Sequence, residues 1–103
     1  MKIKVADREV QLEFHDSSDI GGWKTMAILI LDNKGTIESF SACALCHPGD
    51  VFVKRIGRKI ALTRLLDLAD EKLAELTQER VDVDSCRKVR GLVWAEYLKV
   101  AKV

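Results

Sequence analysis

The chain has 103 residues, 48% of them hydrophobic and 32% charged, with a net charge of +1. That size and balance support a single domain, 1–103, with one core, and exclude a disordered or collagen-like polymer. The longest apolar run, Met26 to Leu31, is far too short to span a bilayer, and the alternating start Met1-Lys2-Ile3-Lys4-Val5 lacks the apolar block of a signal peptide, so a cytoplasmic setting is expected.

In chain order, the first half predicts strands. Ile3 and Val5 alternate with lysines, and Val10, Leu12 and Phe14 alternate with Gln11 and Glu13. A period of two marks a strand with one buried face. The residues between, Ala6 to Glu9, suit a short hairpin turn. Asp16-Ser17-Ser18-Asp19 and Gly21-Gly22 predict a polar, flexible connection. Trp23 to Leu31 is almost wholly apolar, the pattern of a central strand covered on both faces. Asp32-Asn33-Lys34-Gly35 is the strongest turn signal, because Asn and Gly tolerate positive φ, and Thr36 to Leu45 returns as the partner strand.

His47-Pro48-Gly49-Asp50 breaks the strand pattern, and helix periodicity follows. Ala61, Leu62, Leu65, Leu66, Leu68, Ala69, Leu73 and Leu76 form one broad stripe. Phe52, Val53 and Ile56 fall opposite that stripe. Either the helix begins near Gly57 after an extended piece, or it begins earlier, capped by Asp50, and kinks. Thr77 to Val83 reads as a loop, with Asp84 or Ser85 capping a last helix whose Cys86, Val89, Val93, Tyr97 and Val100 share a face. Strands followed by helices predict an α+β fold. The expected form is a four-stranded antiparallel sheet in β-β-β-β-α-α order with two helices packed on one face.

Cys43-Ala44-Leu45-Cys46-His47 matches a C-x-x-C-H string. Covalent haem attachment through it needs export and a further axial ligand, and neither has a sequence signal. A zinc site built from Cys43, Cys46, His47 and Cys86 lacks the second closely spaced ligand pair of structural zinc sites. Three cysteines at irregular spacing also make a poor disulfide framework. Buried, thiol-bearing small residues are the expectation here, with no metal and no cofactor. No nucleophile, base and orienter assemble into a catalytic set, so no enzyme activity is expected.

Charge is unevenly placed. Residues 51–66 carry Lys54, Arg55, Arg58, Lys59 and Arg64 with no acid among them. Gly57 sits inside this cluster at the expected mouth of the helix, where a missing side chain lets an anion approach backbone N–H groups and the helix dipole favours it. Lys54, Arg55, Gly57, Arg58, Lys59 and Arg64 are therefore the candidate contacts for a partner or a nucleic acid. Aromatic residues are sparse beside them, which disfavours a single-strand stacking platform.

The stretch Cys46-His47-Pro48-Gly49-Asp50-Val51-Phe52-Val53-Lys54, continued by Gly57-Arg58-Lys59-Ile60-Ala61-Leu62-Thr63-Arg64, resembles a motif of small bacteriophage- and prophage-encoded proteins. The resemblance covers about half the chain, with its preceding hairpin. It implies a non-enzymatic, anti-CRISPR-like interaction protein that inhibits or modulates a host nucleic-acid-handling or defence complex by covering a surface. The partner would be a protein or ribonucleoprotein complex. Direct nucleic-acid binding through residues 54–64 is the alternative. An edge strand such as Ile3 to Val5 also offers pairing with a second copy.

Overall fold

The N-terminal alternation becomes β1 (Lys2–Val5) and β2 (Arg8–Asp19), paired antiparallel with Ile3 opposite Val10 and Val5 opposite Arg8. This computed structural model describes residues 1–46, 49, 51–78 and 80–100, and of Asp19 the backbone alone. Only Ala6 and Asp7 separate the two strands, a shorter turn than Ala6 to Glu9, and Ala6 takes φ 58° to close it. β2 then runs through Asp16 to Asp19, where polarity predicts a loose connection. The reason is pairing: Asp16, Ser17 and Ser18 lie opposite Thr25, Lys24 and Trp23 of β3 (Gly22–Asn33). A ladder bond outweighs the local turn preference of short polar side chains.

β3 returns into β4 (Thr36–Leu45) through Lys34 and Gly35. Both central residues have positive φ, 53° and 87°, as the right-handed strand twist favours in a two-residue hairpin. Gly35 donates its N–H to Asp32 Oδ1 at 2.9 Å. The sheet is an antiparallel meander in the order β1-β2-β3-β4.

Among the described residues, only one face of this sheet is covered. Val5, Leu12, Ala27, Leu29 and Leu31 are fully or almost fully buried, whereas the intervening Met26, Ile28 and Ile30 are half-exposed. The apolar run of β3 is therefore not buried on both sides. Helix α1 (Lys54–Thr77) lies over β3 and β4, and α2 (Val83–Val100) lies beside it against β1. The chain is thus an α+β fold with both helices on one face of a four-stranded sheet. Neither helix is long and apolar enough to cross a membrane.

α1 is a single helix that starts three residues before Gly57, with Val53 in the N-cap position and no side chain capping it. Asp50, the expected cap, lies outside the described residues. Ala61, Leu62, Leu65, Leu66, Ala69 and Leu73 form the core stripe, joined by Ala74. Leu68 does not belong to it: the residue is 59% exposed. α2 is capped by Asp82, whose Oδ1 accepts the Ser85 N–H at 2.8 Å, two residues before Asp84 and three before Ser85, the expected caps. Its buried face is Val89, Val93 and Tyr97, while Val100 is exposed. Arg90 binds Asp70 (2.8 Å) and Asp67, which fastens α2 to α1.

The two helical glycines separate two effects. A Cβ on Gly91 meets nothing within 4 Å, so G91A should stabilise the chain by up to ~1 kcal/mol through helix propensity alone. A Cβ on Gly57 meets the Thr25 Oγ1 at 2.7 Å, and Thr25 is fully buried on a strand. There overpacking wins, and G57A should destabilise by about 1–3 kcal/mol. Urea unfolding of both variants checks the opposite signs.

Candidate functional site at the start of α1

The basic segment folds around one carboxylate. Asp16 projects from β2 onto the covered face and its side chain is only 10% exposed. Its Oδ1 accepts the Thr25 hydroxyl at 2.8 Å, and its Oδ2 accepts Arg58 Nη2 at 3.1 Å and lies 3.6 Å from Lys54 Nζ. Arg58 also lies 5.5 Å from the centre of the Phe14 ring, which in turn packs on Tyr97. Its Nε is buried and meets no acceptor among the described residues. Arg58 is therefore a cation held inside the fold, at a junction of β2, β3 and α1.

The other predicted contacts divide. Gly57 gives its N–H to the Val53 carbonyl at 3.0 Å, and its open side faces Thr25, so its missing side chain serves close packing of α1 on β3. Arg64 reaches the Cys43 carbonyl of β4 with Nη1 at 2.9 Å. Arg55 is exposed and Lys59 half-exposed, and no carboxylate pairs with either among the described residues. Of the five cations, Lys54, Arg58 and Arg64 have acceptors within the fold, Lys54 and Arg64 while staying exposed, and Arg55 and Lys59 have none among the described residues. The N-terminus of α1 carries no acidic residue in its first turn, so the positive end of the helix dipole adds to Arg55 and Lys59.

Beside these cations lies an apolar groove that sequence reading misses. Leu45, Cys46, Val51, Phe52, Val53, Ile56 and Ile60 line a cavity of about 230 Å³ between the end of β4 and the first turns of α1. Leu45, Val51, Ile56 and Ile60 are 73%, 88%, 51% and 42% exposed. Phe52 stacks on Trp23 with ring centroids 4.6 Å apart, which closes the groove on the β3 side. The signal was present in the sequence as the hydrophobes lying opposite the core stripe. Only the folded chain shows that nothing described covers them.

The cysteines are not gathered. Cys43 stands on the uncovered face of β4, because its neighbour Ala44 points into the core. Cys46 lines the groove at the strand end, and Cys86 lies on α2 beyond the sheet's other face. No disulfide joins them, and no group of three metal-ligating side chains forms among the described residues. His47, the remaining member of the string, lies outside the described residues. Partial burial and the carboxylates of Asp70, Glu71 and Asp82 push the Cys86 thiol above its ordinary range, which keeps it protonated.

Burial raises the Asp16 carboxyl, but the Thr25 hydroxyl, the Arg58 guanidinium and the charge of Lys54 outweigh it and hold it below the usual carboxylate value. A carboxylate lowered in the folded state contributes stability above its unfolded pKa and loses that contribution as pH falls through its folded value. D16N should therefore cost about 1–3 kcal/mol near neutrality. That cost should begin to shrink below about pH 4, where the carboxyl of the unfolded chain takes up its proton, and should be gone once pH has fallen through the lower folded value. Urea unfolding near neutral pH and near pH 3 measures both.

Comparison with protein-family models, with curated proteins and with solved structures finds no match to this chain, so the chemistry of the α1 mouth is read from its own geometry.

Proposed function

We propose that the chain is a binding protein rather than an enzyme, and that it attaches to a partner protein or ribonucleoprotein complex through the start of α1. The observation that supports this is the exposed groove of Leu45, Val51, Ile56 and Ile60 at the cation-rich start of α1. Exposed apolar surface that is contiguous and rimmed by charge is the chemistry of a protein-docking site. The cations and the uncapped helix end select an acidic rim on the partner and speed its encounter. In the form that the phage-protein resemblance implies, covering such a surface modulates a host nucleic-acid-handling or defence complex.

The apolar groove favours a protein partner over direct nucleic-acid contact, since exposed Leu45, Val51, Ile56 and Ile60 suit the apolar core of a protein interface and offer nothing to a phosphate backbone.

Affinity capture from a bacterial lysate tests the reading, with and without nuclease. The parent is compared with R55E/K59E and with I56E/I60E, all four positions lying at the surface. A retained protein that survives nuclease and falls at least about tenfold with each double variant is the expected result. Capture that disappears with nuclease assigns the surface to nucleic acid instead. Equal capture by all three proteins overturns the choice of surface.

A further inference from the structure

The two edges of the sheet are built differently. On β1, Met1 and Leu12 exchange backbone bonds (2.7 and 2.8 Å), so Lys2 and Lys4 are the residues whose N–H and C=O point outward. That edge is four residues long and flanked by lysines, two devices that discourage strand addition. On β4, the Cys46 N–H bonds the Trp23 carbonyl, so the even-numbered residues pair with β3. Ile37, Ser39, Ser41, Cys43 and Leu45 then turn their N–H and C=O groups away from the sheet. This edge is ten residues long, and none of those five residues is charged. Among the described residues a single side chain reaches it, Arg64 on the Cys43 carbonyl, which keeps a second lone pair.

We infer that β4 pairs antiparallel with β4 of a second copy about a two-fold axis at Ser41, giving a continuous eight-stranded sheet. Two observations agree on that register. It sets Ile37 (65% exposed) opposite Leu45 of the second copy (73% exposed) at both ends, and Ser39 opposite Cys43. Sliding the symmetric register by one step in either direction leaves Leu45 or Ile37 without an apolar mate.

The second observation is the helix layer. α1 lies over β3 and β4, so with strands about 4.8 Å apart the two α1 helices come to about 10 Å, the packing distance of helices. Arg64 reaches Cys43 and Lys72 reaches Glu38 of β4, so Leu68, midway between them on the same helix side, stands over the axis. There the exposed Leu68 meets Leu68 of the second copy.

The centre of this interface lies at Ser41 and Leu68, outside the groove proposed above for a partner, and the two surfaces share Leu45 alone.

The test is sedimentation equilibrium of the full chain from about 1 µM to about 1 mM, with a concentration-dependent dimer expected. L68E and I37K, both at exposed positions, should raise the dimer Kd by at least about tenfold with an unchanged urea midpoint. Register is read by oxidative cross-linking after replacing the three cysteines with serine. S41C should form a disulfide-linked dimer, because its Cα atoms lie about 5.5 Å apart across the axis. S39C should not, because it faces position 43. A monomer throughout the range, a dimer indifferent to L68E and I37K, or equal cross-linking of S39C and S41C overturns the inference.

Discussion

Gly57 and Thr25 set how closely the first turns of α1 lie on β3, since a single added carbon would come within 2.7 Å of the threonine hydroxyl oxygen. That hydroxyl is committed to Asp16, and Asp16 in turn holds Arg58 and Lys54. One contact between a glycine and a buried threonine therefore brings a strand carboxylate within reach of two helix cations. A partly buried carboxylate of this kind is tolerable only because it is hydrogen-bonded and paired. Of its two cations, Arg58 is committed within the fold, and Lys54 approaches it from the surface.

The same approach shapes what remains outside. With Arg58 turned inward over Phe14, the side of α1 that carries Ile56 and Ile60 is left facing the end of β4. The groove is then a consequence of packing: the helix is seated at Gly57, its stripe of leucines enters the core, and the hydrophobes opposite that stripe have no second layer to enter. A two-layer fold buries one face of its sheet and one side of each helix. The half-exposed Met26, Ile28 and Ile30 on the far side of β3 show the same limit.

Much of the architecture was legible from local pattern. Alternation at Ile3, Val5, Val10 and Leu12 identified one buried face, and the Lys34-Gly35 turn and the leucine stripe of α1 were visible as period and punctuation. The errors have a common cause. Asp16 to Asp19 looked like a loop because short polar residues prefer turns in isolation, but cross-strand pairing with Thr25, Lys24, Trp23 and Gly22 overrode that preference. Leu68 looked like core because it continues the periodicity, yet it falls at the margin of the stripe and is left 59% exposed.

The sequence by itself determined the element types, their order and the concentration of positive charge in residues 54–64, because hydrophobic period and charge are properties of neighbours along the chain. Only the tertiary structure decided which of those cations find a partner in the fold, since the carboxylate that claims Lys54 and Arg58 lies some forty residues away on another strand. It likewise decided that Gly57 serves packing, and that β4 rather than β1 presents the long uncharged edge. Those outcomes depend on which groups meet across space, and no local pattern encodes that.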